Sequence, residues 1–248
     1  MKTKSILVVS LYVLGILSLP ANATVSYGNY SGVNVSYHNI SETSMSSGDT
    51  EPLFGTPQVL GDSLIFTQMT FSSQASNGVS DITDGKLDMT IAAKNNNYID
   101  KLKFQEFGDL TLSGSGTVNT KASVASSIFI TILGVDNSSL LFPEFISVNM
   151  LMSDNGNWDI ANGIVTGKLW NGQLTVDLTT ILAQRGITGH ATLINFSMDN
   201  TLATQSEINT SSYIAKKAAG LQIASQMIPE PATVGILGIG GLLLVRRR

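Results

Sequence analysis

Apolar and polar residues alternate with a period of two along several segments of the chain. In KLDMTIAAK, residues 86–94, the apolar side chains fall on one face and the polar ones on the other, and GQLTVDLTT and GHATLINFSMDN repeat the pattern. Such alternation is typical of a half-buried β-strand. The segment SSIFITILGV is apolar on both faces, which predicts a central strand with EFISVNMLM as its neighbour.

Turn-forming motifs separate these strands at short intervals. SNGVSD, TDGK, DNGN and WNGQ combine Gly with Asn or Asp, as hairpin turns require. The pattern predicts an all-β fold, an antiparallel β-sandwich of the jelly-roll or immunoglobulin-like type. Only TTILAQRG and IAKKAAGLQIAS are helix candidates, and in the second Gly220 favours a turn between two short strands.

The N-terminus has the layout of a secretory signal peptide. Two lysines precede an apolar run over residues 6–19, which is followed by Pro20 and the small residues Ala21 and Ala23. We therefore predict a signal peptide over residues 1–23, cut by signal peptidase after Ala23. The alternative, an N-terminal membrane anchor, is disfavoured by the short span and by the proline.

The body of the chain, residues 24–226, has no Pro-rich or charged linker, which favours one domain. Residues 24–50 are rich in Ser, Asn, Gly and Tyr, and this composition leaves two alternatives open, an edge hairpin or a partly ordered lead-in. The chain has no cysteine. Disulfides, thiolate metal sites and cysteine nucleophiles are therefore excluded.

The charge balance argues against nucleic acid as a partner. The chain has 14 Lys and Arg against 18 Asp and Glu, and five of the basic residues belong to the two ends. Without those five, 9 basic residues face 18 acidic ones, a net charge of −9. An acidic surface repels phosphate backbones.

The motif GDSL at residues 61–64 resembles the signature of a family of serine esterases, with Ser63 as nucleophile and His190 as base. That family places an aspartate three residues before its histidine, and here the position is Ile187. The surrounding sequence also predicts a turn that leads into a strand, whereas the family has an α/β fold. We expect no catalytic residues, and a secreted esterase remains the less favoured alternative.

Oxygen-bearing side chains cluster in two segments that could suit Ca²⁺. They are Asp154, Asn155, Asn157 and Asp159 in DNGNWDIANG, and Asp81, Asp84 and Asp88 in SDITDGKLD. Ile160 stands where a calcium loop beginning at Asn155 needs glycine. His38 and His190 are the only histidines and lie far apart in sequence. We predict no metal and no cofactor, and a structural calcium stays open.

Three aromatic residues could form a sugar-stacking platform if they were exposed, namely Trp158, Trp170 and Tyr213. Burial in the core is the more usual fate of such side chains.

The last segment, residues 227–248, combines three ordered features. Pro229, Glu230 and Pro231 come first, an apolar run over residues 232–245 follows, and Arg246, Arg247 and Arg248 close the chain. We predict a short C-terminal transmembrane helix over residues 232–245, a marginal anchor, because as a helix this run is about 21 Å long against a hydrocarbon core of about 30 Å. The three arginines resist translocation and keep the C-terminus in the cytoplasm, so the body lies outside.

This segment resembles the C-terminal sorting signal of PEP-CTERM proteins. The resemblance implies that exosortase, a membrane-embedded transpeptidase of Gram-negative bacteria that make exopolysaccharide, reads Pro229, Glu230 and Pro231. The chain is then a substrate of exosortase and is held only transiently in the inner membrane. We expect an exported protein of the cell surface or extracellular matrix, with a structural or adhesive role in exopolysaccharide and biofilm. A carbohydrate-binding module is the alternative.

Overall fold

The computed structural model describes residues 24–46, 48–49, 51–161 and 163–227. The predicted signal peptide and sorting segment lie outside these ranges, together with the residues assigned to them: Ala21, Ala23, Pro229, Glu230, Pro231, Arg246, Arg247 and Arg248. Within the described ranges, no helix is both long and apolar enough to cross a membrane.

Strands make up most of the described chain. They are β1 (Thr24–Ser31), β2 (Val35–Ser44), β3 (Gln58–Leu60), β4 (Ser63–Phe66), β5 (Ser72–Ser76), β6 (Ser80–Ala93), β7 (Asn97–Gly114), β8 (Lys121–Val135), β9 (Ser138–Asn149), β10 (Leu151–Met152), β11 (Asn157–Asp159), β12 (Val165–Asp177), β13 (Ala191–Gln205) and β14 (Thr210–Met227). A 3-10 turn (Ser153–Gly156) and the helix α1 (Leu178–Gln184) interrupt them.

The strands form two antiparallel sheets, which confirms the predicted β-sandwich architecture. Sheet A has the order β1-β2-β6-β13-β8, with β9 and β11 both pairing with the far side of β8. Sheet B has the order β10-β12-β7-β14-β4-β3, with β5 pairing beside β4 along β14. The long strands β6, β7, β8, β13 and β14 form the centres of the two sheets, so they carry the core and position the outer faces.

The core lies between the sheets and follows the predicted alternation. The buried residues of β6 include Leu87, Met89 and Ile91, and those of β13 include Thr192, Ile194, Phe196 and Met198. The rings of Phe104 in β7 and Phe196 in β13 stack across the interface with centroids 5.1 Å apart. Period-two burial on both sheets is what holds a sandwich together without disulfides.

Several segments match their predicted places. The segment SSIFITILGV lies in β8 at the centre of sheet A, and β9, which contains EFISVN, is its neighbour. TTILAQRG does form a helix, α1, whose first turn is capped by the Asp177 carboxylate accepting from the Thr180 backbone N–H at 2.8 Å. Residues 24–44 form an edge hairpin, β1 and β2, which is one of the two alternatives for this region.

Three glycines that the sequence assigns to turns lie inside strands instead. Gly85 of TDGK is within β6, Gly172 of WNGQ is within β12, and Gly220 is within β14. At Gly85 the reason is space, because a Cβ there would lie 2.7 Å from Leu53 Cδ1 and 2.8 Å from Phe71 Cε2. A close approach of core side chains to the backbone, rather than a turn, requires this glycine.

Two of the connections use Asx residues in the left-handed conformation. β8 and β9 are joined by Asp136 and Asn137, with φ of 47° and 61°, and Val135 pairs with Ser138 across them. Positive φ at both central residues is the mark of a type I′ turn, whose twist matches that of the strands. Asn95 and Asn96, with φ of 53° and 57°, serve the connection from β6 to β7.

The glycine positions predict opposite effects of the same substitution. Gly85→Ala should lower the free energy of unfolding by about 1–3 kcal/mol, because the new methyl group collides with Leu53 and Phe71. Gly220→Ala is the matched control, since a Cβ there meets nothing within 4 Å. The control should unfold at the same or a slightly higher urea concentration. Equal losses in both variants would show that packing at Gly85 is not the cause.

Candidate functional site

The outer face of sheet A carries a shallow groove of about 560 Å³. It is lined by residues from five strands: Asn39, Lys86, Asp88, Met89, Thr90, Phe129, Thr131, Phe145, Asn195, Phe196 and Ser197. Most of these residues are polar and lie on the face of each strand that points away from the core. We call this surface the sheet A groove.

Strand register places the groove residues in rows across the sheet. Thr90 pairs with Asn195, Asn195 pairs with Thr131 on its other side, and Thr131 pairs with Phe145. Within this row the Thr90 hydroxyl donates to the Asn195 side-chain oxygen at 2.9 Å. Directly opposed residues bring their side chains close enough to interact, so the row forms one continuous polar strip that ends at an aromatic ring.

Two phenylalanines border one side of the groove. The rings of Phe129 and Phe145 stack with centroids 6.2 Å apart and an interplanar angle of 20°, and Phe145 is 57% exposed. Arg185, which follows α1, holds the strand beneath them, because one guanidinium nitrogen donates to the Phe145 carbonyl at 2.8 Å and another pairs with Glu144. An exposed ring on a fixed backbone is a surface against which an apolar face of a ligand can stack.

Carboxylates dominate the charge on this face. Lys86 and Asp88 form an exposed ion pair at 3.0 Å inside the groove. Further along the same strand, burial and the negative charge of Asp199 raise the pKa of Asp84 to about 6. Both effects disfavour the ionised form of the carboxyl group. The Asp84 carboxyl group therefore ionises in mildly acidic solution, near pH 6.

The GDSL motif forms the turn between β3 and β4 and the start of β4. The Asp62 carboxylate accepts from the backbone N–H groups of Asn34 at 2.7 Å and Val35 at 3.3 Å, which ties the β3–β4 turn to β2. Ser63 is the first residue of β4, and the ring of His190 stacks on Tyr98 with centroids 3.9 Å apart. In the described residues no hydrogen bond links Ser63 to His190. That the chain has no catalytic residue stays a prediction.

The two Asx-rich segments have other partners for their carboxylates. Asp154 accepts from Trp158 Nε1 at 2.7 Å and pairs with Lys168 at 2.7 Å, while Asp81 accepts from the Ser73 hydroxyl at 2.9 Å. Across the described ranges, no three His, Asp or Glu side chains come together as a group that could hold a metal ion. These carboxylates are used to fix turns and strand ends.

Both tryptophans lie in the core, as is usual for such side chains, so they form no exposed sugar-stacking platform. Trp158 is 7% exposed and Trp170 is 2% exposed, and Tyr213 is half-buried. The aromatic residues on the outer face of the sheet A groove are Phe145, which is exposed, and Phe129, which is half-buried, and neither was predicted from the sequence. Their signal is the alternation itself, since Phe129 and Thr131 share the outer face of β8.

No family model and no curated protein matches the chain. Among solved structures, it is similar to the carbohydrate-binding module TmCBM61 in complex with β-1,4-galactotriose, at 8% identity over 64% of this chain and 81% of that one, with a TM-score of 0.21. It is also similar to VP2 of infectious bursal disease virus, at 13% identity over 88% of this chain and 63% of that one, with a TM-score of 0.19. Likenesses this distant carry no functional argument.

The raised pKa of Asp84 predicts that the substitution Asp84→Asn increases thermal stability in a pH-dependent way. In the unfolded chain Asp84 ionises near its ordinary pKa of 3.8, whereas in the folded chain it holds its proton until about pH 6. The folded state therefore loses stability from this group as the pH rises from about 4 to about 6. Asp84→Asn removes that loss, so its melting temperature should exceed that of the wild type at pH 7 and equal it at pH 4.

The matched control is Asp88→Asn on the same strand, which removes only the exposed ion pair with Lys86. An exposed pair contributes little, so this variant should gain nothing at pH 7. Thermal unfolding followed by circular dichroism at both pH values measures the difference. A gain for Asp84→Asn that is the same at pH 4 and pH 7 would contradict the titration.

Proposed function

We propose that this chain is an exported protein of the cell surface or extracellular matrix, with a structural or adhesive role in exopolysaccharide and biofilm. Its C-terminus supports the proposal, because Pro229, Glu230 and Pro231, an apolar run and three arginines follow one another in the order of a PEP-CTERM signal. Signal peptidase cuts after Ala23, the inner membrane holds the tail, and exosortase processes it. The body has no catalytic task in this proposal.

The structure of the body is compatible with a location outside the cell. Its two sheets are held by an apolar core and need no disulfide, since the chain has no cysteine. The last described residue, Met227, still pairs with Asn97 in sheet B, and two positions later Pro229 has no backbone N–H to donate. The motif therefore follows two positions after the last described pair of sheet B, and neither of its prolines could donate a backbone hydrogen bond to a strand.

A triple substitution separates processing from anchoring. With Pro229, Glu230 and Pro231 all changed to Ala, the apolar run and the three arginines still hold the chain in the inner membrane. The variant should accumulate there at the mass of residues 24–248, with its body open to protease added to the periplasm. The wild type should lose the arginines and leave the membrane fraction. Fractionation and intact-mass measurement in the native host provide the readout.

Thr233→Ser is the control, because it lies in the same segment and leaves the motif intact. It should be processed like the wild type. If the wild type keeps residues 246–248, or if the triple variant is released equally well, the tail is only an anchor and the sorting function is wrong.

A second candidate function is weak binding of polysaccharide in the sheet A groove. The observation that favours it is the exposed ring of Phe145 at the end of the polar row formed by Thr90, Asn195 and Thr131. Sugars present apolar ring faces beside hydroxyl groups, which such a strip complements. The groove is open and has no exposed tryptophan, so we expect binding weaker than about micromolar.

Affinity electrophoresis in gels containing the host's exopolysaccharide tests this candidate. Phe145→Ala should abolish the retardation of the wild-type chain, because it removes the exposed ring. Phe142→Ala is the matched control, since Phe142 lies on the same strand, is 77% exposed and does not line the groove. Equal retardation of all three proteins, or none in the wild type, would exclude the groove as a binding site.

A further inference from the structure

The amine of Lys216 lies in the sandwich core, out of contact with water. Lys216 in β14 is 1% exposed, and its Nζ donates to Glu106 Oε1 in β7 at 2.7 Å and to Asn200 Oδ1 in β13. Glu106 and Asn200 are buried to the same degree. The three side chains come from both sheets, with Lys216 and Glu106 in sheet B and Asn200 in sheet A. We call them the core triad.

The backbone around the core triad leaves room for these side chains. Gly85 pairs with Asn200 and Gly108 pairs with Lys216, both at core-facing positions. The Phe71 ring lies 5.2 Å from Lys216 Nζ and provides an apolar wall. The amine, the carboxyl group and the carboxamide are thus held together in a dry, closely packed site, where interior side chains have few alternative positions.

Burial changes which protonation states the core triad favours. It lowers the pKa of Lys216, and the charge of Glu106 opposes that change. Transfer of one proton from the ammonium to the carboxylate replaces two buried charges by a neutral amine and a carboxylic acid, which avoids the desolvation cost of an ion pair. A neutral, desolvated lysine amine is a nucleophile.

Two polar atoms of the core triad have no hydrogen-bond partner among the described residues, Glu106 Oε2 and Asn200 Nδ2. A buried polar atom without a partner costs free energy and needs an explanation. Acyl transfer would supply one, because it releases the amide nitrogen as ammonia and requires an acid, such as the Glu106 carboxyl group, to protonate it. The Asn200 carbonyl bond is about 1.2 Å long, so the amine that contacts Oδ1 is also beside Cγ.

We propose that Lys216 and Asn200 join through an amide bond that crosses the sandwich, with Glu106 as the proton carrier. The amine of Lys216 attacks Asn200 Cγ, the new N–C bond forms, and the bond from Cγ to Nδ2 breaks. Glu106 accepts a proton from Nζ and delivers one to Nδ2. One amine and one primary amide become one secondary amide and one ammonia molecule, with no oxidant or cofactor.

The fold favours this reaction over hydrolysis. Side chains held in contact by rigid strands react with a high effective concentration, and the buried site excludes the water that would compete as nucleophile. Beside Glu106 lies a cavity of about 10 Å³, lined also by Met150 and Met198. It has room for one molecule of the size of water or ammonia.

Peptide mapping of the full-length chain tests the proposal. Trypsin cuts after Arg185 and finds no further site before Lys216, and a glutamate-specific protease cuts between them after Glu207. Trypsin cannot cleave after an acylated lysine. The double digest should therefore give residues 186–207 joined to residues 208–217, lighter than the sum of the two peptides by one ammonia molecule. Recovery of residues 186–207 and 208–216 as separate peptides would overturn the proposal.

Two variants assign the roles. Glu106→Gln keeps the amine beside the carboxamide but removes the proton carrier, so the joined peptide should be lost. Lys217→Arg is the control, because Lys217 is the exposed neighbour and its amine lies 3.6 Å from Asp109 instead, and because arginine removes that amine but keeps the tryptic site after residue 217. The joined peptide should persist in that variant. If Glu106→Gln is still joined, Glu106 is not the proton carrier. If Glu106→Gln fails to fold, the wild-type map alone decides whether the bond exists, and this result is independent of how the C-terminus is sorted.

Discussion

Desolvation of the Lys216 amine is the constraint around which the interior of the sandwich is arranged. An ammonium group removed from water needs partners close by, and here one comes from β7 and the other from the opposite sheet. Gly85 and Gly108 have no side chain beside the core triad. Phe71 packs against Gly85, and the ring of Trp170 packs against Gly108. The packing of the two sheets and the hydrogen bonding of the Lys216 amine therefore depend on each other.

Much of this interior can be predicted from the sequence, because buried residues alternate with more exposed ones along each strand. In β7 every second residue from Leu102 to Leu112 faces the core, and Glu106 occupies one of these positions. Asn200 likewise falls between Met198 and Leu202 on the inner face of β13. The alternation thus predicts that Glu106 and Asn200 are buried. That both contact the Lys216 amine follows only from how the two sheets pack together.

Glycine and asparagine were harder to interpret from sequence. A glycine in TDGK suits a turn locally, yet Gly85 is set by side chains from distant segments that no local pattern contains. The turn at Asp136 and Asn137 shows the reverse case, since both residues adopt the left-handed conformation that glycine adopts most readily, and no glycine marks the turn in the sequence. The sheet A groove lay beyond sequence reasoning for the same reason, because its rows depend on register across five strands. The resemblance of residues 227–248 to a sorting signal is the opposite extreme, since it rests on sequence alone and stays a prediction.

The position of β14 decides how the body would respond to tension. β14 lies inside sheet B, with β7 along one side and β4 and β5 along the other, and it leads directly to the C-terminal segment. Hydrogen bonds of an antiparallel ladder run perpendicular to the strands, so a pull along β14 loads many of them in shear at once. β1, by contrast, is an edge strand bonded on one side, so a pull along it loads only one ladder. A tether at the C-terminus therefore loads the mechanically stronger end of the fold.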